Sequence, residues 1–297
     1  SEPDVQRIQH FNKLYNEGNE IHYWTARGGS TGKDWSELTK DQFAEWGVLY
    51  TTLSFRKPHY DIWIDDKARE ANEYFKEEDN YLYTIAQFFP RMCVYNDVEG
   101  WQNKQFLGDG EFTLPFGDYE VEITVPSDHV VAATGVLQNA SKVLTKEQQN
   151  RLEQAEDSDQ PILIVTQAEA EKAEKSKASG TKTWIFEAEN VRDFAFASSR
   201  KFMWDAQAVE LETKTVMVMS YYPKEGNPLW EKYSTRVSAQ TLRTYSKHTF
   251  DYPYPVAISV HANSIGMEYP MICFNGGRPN ADGTYSERTK YGMHSVI

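Results

Sequence analysis

A chain of 297 residues, 40% of them hydrophobic and 14% aromatic, suggests about two domains and can bury a sizeable core. Its formal charge of −13 argues against nucleic acid and anionic membrane as partners, because both call for a basic surface. The longest aliphatic run, Ile162–Val165, is too short to span a bilayer, and Cys93 and Cys273, the only two cysteines, are expected as a buried reduced pair rather than a disulfide framework or zinc knuckle.

The first residues, SEPDVQR, carry no signal-peptide pattern and no initiating Met, so the natural start is expected upstream. Val5, Ile8, Phe11, Leu14 and Tyr15 recur at helical spacing, and Gly18 ends that helix. Ile21–Thr25 reads as a buried strand, 26–33 as a Gly-rich loop and Ser36–Trp46 as a second helix closed by Gly47. Val48–Leu53 and Tyr60–Ile64 read as further strands, and strands alternating with helices imply a parallel α/β sheet. Thr25, Lys57, Asp65 and Asp66 then fall at the strand ends or in the loops beside them, where open α/β sheets bind ligands. A hydroxyl, an ammonium and two acids suit a phosphate with its Mg²⁺. The stretches YWTARG, WGV and KPHYDIWIDDKA together resemble the haloacid dehalogenase superfamily of phosphatases over roughly the first 68 residues. That resemblance implies a partial Rossmann-like segment in which Thr25 bonds the phosphoryl group, Lys57 neutralises it and Asp65 or Asp66 helps to hold Mg²⁺. The family's nucleophile is an Asp in a DxD motif on a strand upstream, and here Asp4 stands alone. Without the nucleophile no aspartyl-phosphate can form, so no phosphatase activity is expected.

Residues 71–80 (ANEYFKEEDN) read as a polar, acidic linker. Beyond it Tyr119, Val121, Ile123 and Val125 alternate with Glu120, Glu122 and Thr124, the mark of a half-buried antiparallel strand. Val130–Leu137, Pro161–Val165 and Thr183–Ala188 add strands, while Thr145–Ala155 and Gln167–Ala178 read as solvated helices. His129, beside Asp128, reads as an exposed polar residue, since no GxSxG elbow is present for a triad. The stretches FFPRMCVYND, GEFTLPFGDYEVEITVP, VVAATG and TWIFEAENVRDFAFAS resemble the amino-terminal β domain of the aminopeptidase N family of zinc metallopeptidases.

Further on, Thr215–Tyr222 and Val256–Val260 read as strands on either side of a helix from Pro228 to about His248, with Trp230, Tyr233, Val237, Thr241 and Tyr245 along one stripe. Ser264–Phe274 reads as one strand in which Ile265, Met267 and Tyr269 alternate with Gly266 and Glu268. On the residues alone this is either a core strand with a surface Glu or a strand aiming a carboxylate into a cleft. The order of helix, FDYPYP, strand and GMEYP is similar to the opening of that family's thermolysin-like catalytic domain. Gly266, Met267 and Glu268 match its GxMEN motif, with Tyr269 where Asn is common. The resemblance implies that Glu268 accepts the α-ammonium of a peptide while Gly266 and Met267 line the substrate, and that the cofactor is Zn²⁺ held by HExxH and a downstream Glu. The seven histidines are His10, His22, His59, His129, His248, His261 and His294, and no two stand at i, i+4.

The expected whole is a mixed multidomain chain: a partial α/β segment over 1–70, an antiparallel β-rich domain over 71–205 and, over 206–297, the α+β start of a thermolysin-like domain lacking its zinc ligands. The expected function is that of an aminopeptidase fragment that recognises peptide N-termini but is inactive as it stands. A phosphatase remnant or a non-catalytic peptide-binding module is the alternative. Two truncated frames joined near residues 66–80 are expected to account for the combination.

Overall fold

The computed structural model describes residues 5–24, 34–55, 74–77, 80–102, 114–262, 266–280 and 282–290. The protein is mixed α/β with several antiparallel sheets, and its contacts divide it into two compact units, Ser1–Ile64 and Asp65–Ile297.

In the first unit, helix α1 (Val5–Asn16), strand β1 (His22–Trp24), helix α2 (Ser36–Glu45) and strand β2 (Thr52–Ser54) follow in order. β1 and β2 pair in parallel, with His22 opposite Thr52, as the alternation of helix and strand implies. The second strand is shorter than Val48–Leu53 and begins later. Val48 is instead tied back to the end of α2 through a backbone bond from its N–H to the Phe43 carbonyl, 2.9 Å. The small core is aromatic: Tyr23 meets Phe43 edge-on at 5.1 Å and Phe43 meets Tyr50 at 5.7 Å. Asn12 fastens α1 to the turn after α2, donating to the Gly47 carbonyl at 2.7 Å and accepting from the Leu49 N–H at 2.8 Å.

The second unit opens with strand β3 (Tyr74–Glu77), antiparallel to β4 (Asn80–Ile85). The acidic stretch expected as a linker thus contributes a strand, at the edge of a four-stranded sheet. A short hairpin, β5 (Tyr95–Asn96) and β6 (Gly100–Trp101), precedes β7 (Gly117–Pro126), β8 (Val130–Ala133) and β9 (Val136–Leu137). Helices α3 (Ala140–Val143) and α4 (Lys146–Glu156), strand β10 (Ile162–Val165) and helix α5 (Gln167–Ser176) follow. Both longer helices begin with a capping box, Thr145 with Gln148 and Thr166 with Glu169. They are not wholly solvated: Ala155, Ala170 and Glu174 are buried, so each helix has one face against the protein.

The β-rich part behaves as its alternation requires. β7 pairs antiparallel with β11 (Thr181–Val191); Ile123 is buried, Tyr119, Val121 and Val125 half-buried, and Glu120, Glu122 and Thr124 exposed. Between β8 and β9 the chain turns at Gly135 (φ +100), where a Cβ would lie 2.3 Å from the Glu187 carbonyl oxygen. Strand β12 (Phe196–Ser199) joins β4 and β8.

A six-stranded sheet, in the order β10–β13–β14–β15–β17–β16, positions the candidate site. Its members are β13 (Met203–Glu210), β14 (Thr215–Tyr222), β15 (Val256–His261), β16 (Met267–Tyr269) and β17 (Ile272–Asn275), with helix α6 (Leu229–His248) as the crossover between the parallel strands β14 and β15. The register sorts its residues into two faces. Trp204, Tyr221, Val260 and Phe274 form one row and Ala206, Met219, Ile258 and Ile272 another, both packed into the main core with Trp184, Phe186 and Phe194. The opposite face lies under α6.

The buried face of α6 differs from the stripe read in the sequence. Trp230, Ser234, Thr235, Ser238, Ala239 and Leu242 are buried, whereas Tyr233 and Tyr245 are 48% and 67% exposed. One sheet row beneath the helix is polar and takes Ser234 and Thr235, while Trp230, Ala239 and Leu242 fill the apolar contacts on either side, so Tyr233 and Tyr245 stay outside. Ser264–Phe274 is likewise not one strand. Among its described residues, β16 turns at Pro270 and Met271 (φ 64) and returns as β17, leaving β16 at the edge. The cysteines do not form a buried pair, since Cys93 is exposed and only Cys273 is tucked into the sheet.

Candidate functional site

Three of the residues singled out in the sequence come together on one strand. Gly266 precedes β16, and Met267 and Glu268 open it. Antiparallel pairing sets Met267 opposite Phe274 and Glu268 opposite Cys273. Directly opposed side chains share a face, so Met267 lies on the main-core side, 40% exposed, and Glu268 on the α6 side. There Glu268 lines a cavity of about 160 Å³ with Cys273, Tyr269, Tyr252, Ala257 and Leu242. The carboxylate side chain is exposed, while burial pushes the Cys273 thiol up to about 11 and the Tyr252 hydroxyl well above its ordinary range. Both groups are neutral near pH 7, and Glu268 is the charged member of this wall. The site thus combines the exposed backbone of an edge strand with one anionic group over an apolar hollow.

The four residues read as a phosphate and Mg²⁺ site, Thr25, Lys57, Asp65 and Asp66, lie outside the described residues.

The described histidines do not fit a catalytic zinc. His261 is fully buried and its Nε2 accepts from the Arg278 Nε–H at 3.1 Å; burial takes it down to about 3. His129 proves buried rather than exposed: its Nδ1 shares a proton with the Ser198 hydroxyl at 2.8 Å, and burial, aided by Arg200, takes it down to about 4. Asp128, its neighbour, is engaged by Arg200 at 3.1 Å and by the Ala178 N–H at 2.8 Å. Those bonds leave Asp128 turned to the β-domain framework instead of orienting the imidazole. Among the described residues no three His, Cys, Asp or Glu side chains gather as metal ligands.

The sequence reading missed Asp205. This fully buried acid sits in the middle of β13, accepting from the Tyr222 hydroxyl at 2.5 Å and from Thr235 on α6. Burial is the main influence on its carboxyl, which rises to about 7 in spite of those two donors. The one signal available was an acid within the apolar stretch FMWDAQAV, which argues for a satisfied buried carboxyl.

No protein-family profile matches the chain, and no curated protein matches it. Among solved structures, a zinc metallopeptidase of the M1 class from Deinococcus radiodurans is similar at 17% identity and a TM-score of 0.38, over 61% of this chain and 34% of the other. A variant two-domain M1 zinc metallopeptidase bound to L-arginine gives 17% and 0.37 over the same shares. Aminopeptidase A of Legionella pneumophila, in complex with aspartic acid, gives 12% and 0.37, over 68% of this chain and 19% of the other. The chain therefore spans about a third or less of the length of these structures.

Proposed function

We propose that β16 is a docking strand for the amino terminus of a peptide, with Glu268 accepting the free α-ammonium. In this reading residues 206–297 begin a peptidase domain of the aminopeptidase N type. The observation that carries it is the position of Glu268: a charged, exposed carboxylate on a sheet-edge strand, at the rim of a cavity lined largely by apolar groups. An edge strand offers backbone N–H and C=O groups to an extended peptide, which gives affinity without sequence preference. A carboxylate at that edge adds charge-assisted hydrogen bonds that only a free amine can return. Met267, on the other face of the same strand, offers a soft apolar contact beside the peptide path. The GMEYP resemblance points the same way.

The 297 residues contain no HExxH, so the chain by itself is proposed to bind peptide N-termini without hydrolysing them. The test is a fluorescence titration of a short labelled peptide, with a free or an acetylated amino terminus, against the native chain and Glu268→Gln. The free peptide is expected to bind the native chain at least about tenfold more tightly than the acetylated one, the worth of one charge-assisted bond. Glu268→Gln is expected to abolish that difference. Equal affinities in the native chain defeat the reading.

A further inference from the structure

The register of the six-stranded sheet lines up Asp205, Ser220, Ser259, Cys273 and Glu268, each directly opposite the next, across β13, β14, β15, β17 and β16. The row faces α6, which lowers Thr235 and Ser234 onto it. Hydrogen bonds join nearly all of it. Thr235 reaches Asp205 on one side and Ser220 on the other, at 2.6 Å; Ser220 reaches Ser234 at 2.8 Å and Ser234 reaches Ser259 at 3.3 Å. Ser259 stands directly opposite Cys273, with its hydroxyl next in the row to the sulfur. The Asn275 amide donates to the Ser259 oxygen at 2.9 Å and to the sulfur at 3.3 Å, and the Cys273 S–H donates to the Ile258 carbonyl at 3.4 Å.

Each hydroxyl in this chain has one proton, so it donates in one direction only. Thr235 cannot donate to Asp205 and to Ser220 at once. An ionised Asp205 accepts from Tyr222 and Thr235; Ser220 must then donate to Thr235, Ser234 to Ser220 and Ser259 to Ser234. A protonated Asp205 donates to Thr235, every hydroxyl turns the other way, and the Ser259 O–H points to the Cys273 sulfur. No proton travels along the row: the one exchanged at Asp205 comes from solvent, and the hydroxyls only rotate. We propose that the protonation of Asp205 sets the direction of this hydroxyl relay and is read out at Cys273, the residue opposite Glu268.

The groups that face the two ends are few. Tyr222 on β14 and Glu231 and Arg236 on α6 act on Asp205, while β10 supplies only aliphatic side chains. On α4 and α5, which also pack along β13, Arg151 pairs with Glu169, and Glu174 with Lys224. At the other end Glu268 and Tyr252 face Cys273. The burial that raises the Asp205 carboxyl to about 7 brings its titration into an accessible range, and the thiol itself ionises only near 11. The relay stands on the hydrogen bonds of the sheet and is independent of the peptide reading.

The test is the infrared S–H stretch of Cys273, measured in Cys93→Ser so that one thiol remains, between about pH 5 and pH 9. The band is expected at lower frequency in acid, where Ser259 donates to the sulfur and polarises the S–H bond. Adding Ser234→Ala breaks the row in its middle and is expected to hold the band still while the pH dependence of stability persists. Adding Asp205→Asn is expected to remove both, and adding Glu268→Gln neither. A band that does not move in Cys93→Ser, moves equally with Ser234→Ala, or stops moving with Glu268→Gln overturns the proposal.

Discussion

At the scale of single residues the two carboxylates of the polar row differ because their surroundings differ. Glu268 is exposed and charged at the sheet edge; Asp205 is enclosed by Tyr222, Thr235 and its neighbouring strands, with no cation among the described residues bonded to it. Its carboxyl rises from 3.8 to about 7, so between those values the folded chain holds a proton that the unfolded chain has released. Its contribution is therefore fully present below about pH 4 and is lost as pH rises towards 7, after which it is constant. A shift of that size corresponds to at most about 4 kcal/mol. Asp205→Asn keeps an oxygen that can accept from Tyr222 or Thr235 and removes the titration. Urea midpoints measured between pH 4 and 8 are expected to fall with pH in the native chain and to flatten over that window in the variant. Only part of this was legible in the sequence. The letters GME single out Glu268 only through the family motif they resemble. Asp205 carries no motif, since its peculiarity comes from Ser220, Tyr222 and Thr235, brought to it by the strand pairing and by α6.

At the scale of elements, local pattern was read well where one face is apolar and the other wet. β7 is the clear case, and the capped helices α4 and α5 begin where their Thr residues stand. Pattern failed where the partner surface is polar. α6 buries Ser234 and Thr235 because they answer Asp205, Ser220 and Ser259, so its inner face mixes these hydroxyls with Leu229, Trp230, Ala239 and Leu242 and does not follow the aromatic spacing. The consequence can be measured. Trp230 is fully buried, donates to the Gly277 carbonyl at 3.1 Å and packs on Tyr222 and His261. Trp230→Ala is expected to cost about 3–5 kcal/mol, as large-to-small changes of buried aromatics do. Tyr245→Ala, on the outer side, is expected to stay within about 0.5 kcal/mol. Chemical unfolding of the two variants checks the pair, and equal losses would show that the wrong face has been assigned to the core. The hairpin β16–β17 is masked in the sequence for a related reason: Pro270 and Met271 make the turn, and Met271 buries its side chain there in spite of its left-handed backbone.

At the scale of the whole molecule, two compact units share one chain, and only the second holds the described part of the candidate site. The mixed α/β character and the β-rich middle followed from residue patterns; the six-stranded sheet did not, because it gathers β10 from well before β13 and folds β16 back onto β17. On the binding reading proposed above, the 297 residues by themselves are expected to hydrolyse neither aminoacyl-p-nitroanilides with added zinc nor p-nitrophenyl phosphate with magnesium. Turnover of the first substrate that is lost with Glu268→Ala, or of the second lost with Asp65→Asn, would refute that expectation. Peptide binding at the sheet edge can be followed by amide hydrogen exchange localised to residues 266–275. A peptide with a free amino terminus is predicted to slow exchange across β16 and β17, and its acetylated counterpart to leave it unchanged. Equal protection by both peptides, or protection by neither, would contradict the account.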